Sequence, residues 1–390
     1  MLDFTYYNPV KLIFGEGKMN EVIEEIKSYG SKVLMVFGGE SFLKNGYYES
    51  FVKALEEAGI IHYEMGGNRS PLLSTARKGI DLCRKEEIDC VLGIGGGTCM
   101  DLAKTIAFGV KQSDDIWEYL TYSAKPDTME YLPVGCIVTY PSSGSDMDGA
   151  AQITNDETKE QAGLSDIFPN FSWLNPAYMS SIGVRALTEA QITSFVQVSM
   201  AYLGLERSVL AEKIALLLID TILENIHLCV NASHAKEARN NLMMASALNV
   251  NGLTNLGKAG DWSLYPIEGI IQNYYGVGYK SAIIILFPYW VKHVYGGQDI
   301  FKDYFKNVFD VNIDGKSDQQ ILEEGLEQIF TLYRKYGIAV SFAELKDRKE
   351  DIALLKEMVA AVGPQESIYT EFTLEKIEKL MLDSIYGEWK

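Results

Sequence analysis

Paired cysteines are missing from this chain. Its five cysteines, Cys83, Cys90, Cys99, Cys136 and Cys229, stand singly among apolar neighbours, with no Cys-x-x-Cys pair and an odd total. That usage suits a reducing compartment, and the residues read as small core side chains. Basic runs interleaved with aromatics are missing too, and 53 acidic against 35 basic residues leave a formal net charge of −18. Such a field repels polyanions and excludes nucleic acid and acidic membranes as partners. No apolar run approaches membrane-spanning length, and the opening segment MLDFTYYNPVKLIFGEG has no basic stretch ahead of an apolar one, so the expected location is cytoplasmic. Histidine is scarce: His62, His227, His234 and His293 are scattered, with no pair four residues apart, and they read as ordinary surface or core residues.

Apolar material is plentiful. The 390 residues are 47% hydrophobic, enough for one large or two ordinary cores without staples. The chain is organised around Asp89 to Ala107, DCVLGIGGGTCMDLAKTIA, where apolar Val91, Leu92 and Ile94 run into Gly95, Gly96 and Gly97 before a helical pattern opens at Thr98. This is strand, tight turn, helix. Glycines let the backbone approach an anion, and the first N–H groups of the helix point partial positive charge at it, so a phosphate or pyrophosphate is the natural occupant. The turn is neither a Gly-x-Gly-x-x-Gly fingerprint nor a P-loop.

Around it, apolar strands alternate with amphipathic helices. Helical faces are expected near Val22 to Ile26, Tyr48 to Ala58 and Ser74 to Lys85. Strands are expected at Lys32 to Phe37, Ile60 to Met65, Val134 to Thr139 and Phe171 to Leu174, with a hairpin from Ala150 through the Asn155 to Lys159 turn. That alternation predicts a parallel sheet with helices on its faces and ligands at the carboxyl ends of strands, where Gly38-Gly39 and Gly95-Gly96-Gly97 both fall. After residue 177 helical periodicity takes over, beginning with an apparent capping box, Thr188 with Gln191. The expected division is an α/β dinucleotide-binding domain over 1–177 and an all-α domain over 178–390.

These motifs resemble the iron-containing (group III) alcohol dehydrogenases, in particular their butanol dehydrogenase-like branch. The resemblance rests on Asn8-Pro9 with Phe14-Gly15, Gly38-Gly39-Glu40-Ser41, and Gly95-Gly96-Gly97-Thr98 with Asp101 and Lys104. It continues through Thr139 with Pro141-Ser142-Ser143-Gly144-Ser145-Asp146, Asn241-Leu242-Met243 and Gly260-Asp261-Trp262. It implies the dehydroquinate synthase-like fold and a nicotinamide dinucleotide held by Gly38, Gly39, Glu40, Ser41, Gly95, Gly96, Gly97, Thr98, Asp101, Lys104, Thr139, Ser142 and Ser145. By that resemblance Glu40 falls where the branch commonly has a glycine beside the adenosine ribose, and a carboxylate there would accept from hydroxyls and repel a 2′-phosphate, so NAD is favoured over NADP. The resemblance also implies a homodimer formed through the N-terminal region, with which the apolar Tyr6 to Phe14 segment is compatible.

The pattern breaks at the metal. The family's chemistry needs a divalent ion held by one aspartate and three histidines, which polarises the substrate oxygen. By gap-free count from Asn175-Pro176, and from Asp261-Trp262, those positions fall on Thr193, Gln197, Tyr265 and Tyr279, and no tightly bound metal is expected. A neighbouring family histidine maps to Gly269, and Glu268 with Asp261 would make a poor iron or zinc site. Pro266 further biases Tyr265 away from helical geometry. Two readings follow. In one, an oxidoreductase keeps the nucleotide and acts on a small alcohol or aldehyde, with Tyr279 or Tyr265 as proton donor and Lys280 beside it lowering the phenol's pKa. In the other, the tyrosines merely fill the emptied volume and the chain is a catalytically silent nucleotide-binding protein with a sensing or association role.

Overall fold

The protein is described by a computed structural model covering residues 1–39, 42–43, 46–229, 235–345 and 351–389. Its strands are β1 (Lys11–Phe14), β2 (Lys32–Phe37), β3 (Ile61–Met65), β4 (Cys90–Gly95), β5 (Val134–Val138), β6 (Ala151–Thr154), β7 (Gln161–Leu164) and β8 (Phe171–Leu174), with a small late pair β9 (Gln365–Glu366) and β10 (Glu371–Phe372). Helices α1 (Met19–Tyr29), α2 (Tyr47–Glu57), α3 (Leu73–Glu86), α4 (Gly97–Gly109) and α5 (Ile116–Leu120) alternate with the early strands. Then follow α6 (Val184–Tyr202), α7 (Val209–Cys229), α8 (Ala235–Leu248), α9 (Leu264–Tyr275), α10 (Tyr279–Val294), α11 (Asp299–Phe309), α12 (Asp318–Lys335), α13 (Phe342–Leu345), α14 (Ile352–Val362) and α15 (Leu374–Tyr386). No helix among the described residues is long and apolar enough to cross a membrane.

The chain forms two compact units. The sheet unit comprises Tyr7–Leu187 with Asn225–Gly252, and the helical unit comprises Met1–Tyr6, Thr188–Glu224 and Leu253–Lys390. In the sheet unit six parallel strands run in the order β1-β8-β5-β4-β2-β3. Both faces of such a sheet are covered, which is why β2 (KVLMVF) and β4 (CVLGIG) read as nearly unbroken apolar runs. On one face Val22, Ile23 and Ile26 of α1 and Phe51 and Leu55 of α2 pack on Met35, Phe37, Leu92 and Trp173.

The expected strands and helices of this unit are present, as is the β6–β7 hairpin. Its strand order carries the functional consequence. From β2 the chain steps outward to β3, then returns past β2 to place β4 on the other side. Strand order therefore reverses between β2 and β4, and the loops leaving these neighbours open a crevice at their carboxyl ends, where ligands of doubly wound sheets bind.

In the helical stretch α6 starts at Val184, four residues before Thr188. Thr188 and Gln191 are therefore interior and buried, which corrects the expected capping box: the threonine-x-x-glutamine spacing recurs inside helices, and only an exposed first turn makes it a cap.

Candidate active site

The crevice is built from two glycine turns. Gly38 and Gly39 follow β2, and Gly95 ends β4 with φ +149. A Cβ at Gly95 would lie 2.9 Å from Cys99 Sγ, so both backbone conformation and space require glycine there. Gly96 starts α4 without a side-chain cap, the end of a helix whose first-turn N–H groups suit an anion. A side chain at Gly97 would begin 2.6 Å from Ser143 Oγ. The hydroxyl-rich loop thus lies against this turn, and the Thr139 and Tyr140 N–H groups both donate to Gly95 O, at 3.0 and 3.1 Å. From α8's end Asn249 Nδ2 donates to Ser142 O at 3.1 Å. Glu40 and Ser41 lie outside the described residues.

Beneath the loop is a buried polar network. Lys104, with no exposed surface, donates to Ser145 O at 2.8 Å, to Asp148 Oδ1 at 2.9 Å and to Ala150 O. Its ammonium thus holds the loop in place. Asp101 accepts from Ser145 Oγ at 2.6 Å and from the Gln152 N–H at 3.3 Å. Asp101, Lys104 and Ser145, expected from the sequence as cofactor contacts, are joined with the loop in one hydrogen-bonded network.

Asp146 accepts from Ser172 Oγ at 2.7 Å, and removal from water pushes its carboxyl up to about 6. The folded chain holds this proton more tightly than the unfolded one, so its stabilisation is complete below pH 3.8, the ordinary value, and is lost as pH rises through about 6. Asp146→Asn should thus gain on the parent between pH 4 and 7, by about 3 kcal/mol at 1.36 kcal/mol per unit. Thermal melts of both proteins across that range test this; a constant difference would show that Asp146 titrates normally.

In the helical unit, Glu189, Thr193 and Gln197 follow each other at four-residue spacing along α6 and so share a face. Thr193 is fully buried and its Oγ1 donates back to Glu189 O at 2.9 Å. Tyr265 is the second residue of α9, and Tyr279 and Lys280 open α10. Contrary to the expectation drawn from Pro266, Tyr265 is helical: the proline falls in the first turn, where its missing N–H has no partner to lose. The Trp262 ring lies 5.7 Å from the Tyr265 ring.

Lys280 feels the Glu189 carboxylate, which brings the start of α10 to the α6 face carrying Thr193. Burial outweighs that attraction and lowers the ammonium to about 8. Glu189 escaped the sequence reading, although its place one turn before Thr193 was there to find. Asp261 is engaged elsewhere: Oδ1 accepts from Ser263 N at 2.9 Å and Ser263 Oγ at 2.6 Å, and Oδ2 from the Ile368 N–H at 3.1 Å and from Ser367 Oγ.

His293 Nε2 lies 3.1 Å from Asp383 Oδ2, His62 faces Glu64 at 3.4 Å, His227 is in the last turn of α7, and His234 lies outside the described residues. A cavity of about 320 Å³ lined by Lys292, Tyr295 and Trp389 sits at the opposite end of α10 from Lys280 and contains none of the candidate residues.

The chain thus joins a doubly wound parallel sheet, with glycine turns at its switch point, to a helical unit. Residues 9–176 match the iron-containing alcohol dehydrogenase model, and residues 191–385 match the C-terminal model of the Fe-containing alcohol dehydrogenase family. The chain belongs to the iron-containing alcohol dehydrogenase family. It is 33% identical over 391 residues to the NADH-dependent butanol dehydrogenase A of Clostridium acetobutylicum, covering 97% of this chain and 100% of that one. The probable NADH-dependent butanol dehydrogenase 2 of Bacillus subtilis is 31% identical over 365 residues, covering 92% and 93%. The crystal structure of NADH-dependent butanol dehydrogenase A from Thermotoga maritima superposes with a TM-score of 0.92 at 27% identity, covering 99% of each chain.

Proposed function

We propose that this chain is an NADH-linked oxidoreductase that interconverts a small aldehyde and its alcohol without help from a bound divalent metal. The sheet unit would carry the dinucleotide, with its pyrophosphate on the Gly95 to Thr98 turn. NADH is placed ahead of NADPH because the butanol dehydrogenases named above are NADH-dependent, although a relative from Escherichia coli, 23% identical over 366 residues and covering 92% of this chain and 93% of that one, is an NADPH-dependent aldehyde reductase. A cytoplasmic homodimer remains the expected form.

The family name implies iron, and the donor set does not fit it. Thr193, Gln197, Tyr265 and Tyr279, which stand at the counted ligand positions, present neutral hydroxyl and amide oxygens, a weak set for iron or zinc. Among the described residues no group of three or more His, Cys, Asp or Glu side chains is placed to hold a metal ion. The reaction is therefore assigned to protein groups. A bound NADH would supply hydride to the carbonyl carbon, and the Lys280 ammonium, directly or through the Tyr279 phenol, would give the proton to the carbonyl oxygen. The products are the alcohol, NAD⁺ and a neutral amine that solvent reprotonates.

The observation that carries this reading is the place of Lys280, half-buried at the start of α10 beside Tyr279 in sequence; burial there lowers its ammonium to about 8, a value suited to proton transfer near neutral pH. NADH oxidation with butanal in the presence of a chelator tests it. Turnover that survives chelation supports the proposal. Turnover that appears only on adding iron or zinc overturns it, and nucleotide binding without any turnover points to the silent nucleotide-binding reading.

A further inference from the structure

Glu268 lies in the middle of α9 with no exposed surface, and neither carboxyl oxygen has a hydrogen-bond partner. No cation acts on it. Removal from water pushes its pKa well above the ordinary carboxylate value, with Gln272 one turn on opposing only in part. Ionised and unpaired in such a place, a carboxylate would cost several kcal/mol, so the group is held as a neutral acid with one O–H to donate. Even so, a buried donor with nothing to bind costs about 1–3 kcal/mol, a burden that leucine at this position would not carry.

Helix geometry says what it is beside. Tyr265 is three residues before Glu268 and Gln272 four after, so the three share one stripe of α9. Gly269, one turn after Tyr265, adds no side chain to that stripe. A buried polar group without a partner, set between two other polar groups along one stripe of a helix, has the form of half a binding site.

We propose that the Glu268 carboxyl is a substrate-binding group that donates a hydrogen bond to the oxygen of a small alcohol or aldehyde held alongside Tyr265. The substrate class rests on the function proposed above. The role differs from that of Lys280, because Glu268 keeps its proton and fixes the oxygen while another group transfers one.

Infrared difference spectra between the parent and Glu268→Gln, recorded at neutral pH with NAD⁺ bound, isolate the carboxyl C=O stretch. A protonated-acid band that shifts on titrating 1-butanol is the expected result. In kinetics Glu268→Leu should raise KM at least tenfold and Glu268→Gln, which still donates, less than that, while the dissociation constant for NADH stays within twofold. The assignment is overturned by an ionised carboxylate, by a band that saturating 1-butanol leaves in place, or by a band sensitive only to exchange of H₂¹⁶O for H₂¹⁸O, which would make a water its partner. A Glu268→Leu variant that is more stable with KM unchanged would likewise overturn it. A band that shifts with 1-butanol in a protein without turnover would leave this assignment standing and remove the proposed reaction; turnover with an unmoved band would do the reverse.

Discussion

Gly144→Ala is expected to destabilise the protein by about 2–5 kcal/mol, the sum of a left-handed backbone penalty and an overpacking penalty, and to weaken NADH binding at least tenfold. Gly144 has φ +76, and a Cβ there would lie 2.1 Å from Asn249 Oδ1, 2.7 Å from Ser246 O and 2.7 Å from Val250 Cγ2. The Asn249 side chain can swing away, but its Nδ2 donates to Ser142 O at 3.1 Å, so relief of the clash breaks the bond that pins the hydroxyl loop. The Ser246 carbonyl belongs to α8 and cannot rotate out of reach. Loop and helix must separate, and Ser143, which faces Gly97, moves with them. Gly59→Ala supplies the comparison, since Gly59 has φ +74 with open space around it, and it should cost only the backbone share of about 1 kcal/mol. Urea midpoints and fluorescence titration of NADH measure both effects. Equal losses in the two variants would show that the loop does not dock on α8 as described.

The sheet unit was legible because its signals are local. Unbroken apolar runs of about five residues, such as 33–37 in β2, have one use in an alternating chain, and Gly95 marks a backbone turn that no other residue adopts there. Side-chain direction was not legible. Lys104 donates to Ser145 O, Asp148 Oδ1 and Ala150 O, and Ser145 Oγ to Asp101, partners that spacing along the chain does not reveal.

Long-range partners were hidden for the same reason. Asp261 looked available beside Glu268 until Ser367 and Ile368, more than a hundred residues on, took up its second oxygen. The segment Asn225–Gly252 lies deep in the helical half of the sequence and yet belongs to the sheet unit, because Asn249 and its neighbours pack on the hydroxyl loop. Pattern reading assigns a helix its face; only the fold assigns that face its neighbour. At Thr188, where a spacing rule was applied without knowing which turn was exposed, the rule failed.

Lys280→Met should lower turnover in both directions by about 10²–10⁴-fold, the usual worth of a positioned acid or base, while the dissociation constant for NADH changes less than twofold. The pH dependence gives the sharper test, because the parent's ammonium is lowered to about 8 by burial, against the pull of Glu189. Aldehyde reduction needs the protonated form, so its rate should be level below pH 8 and fall tenfold per unit above it. Alcohol oxidation needs the neutral amine and should climb to the same pH before levelling. Glu189→Gln removes the opposing carboxylate and should move both turning points to lower pH. In Lys280→Arg the charge is permanent and the guanidinium gives up no proton in this range, so any residual reduction should lose its dependence on pH near 8. If Lys280→Met stays within threefold of the parent while Tyr279→Phe is inactive, the phenol alone is the acid. If both variants turn over normally, neither residue carries the proton, and the substitutions at Tyr265 and Tyr279 only fill space.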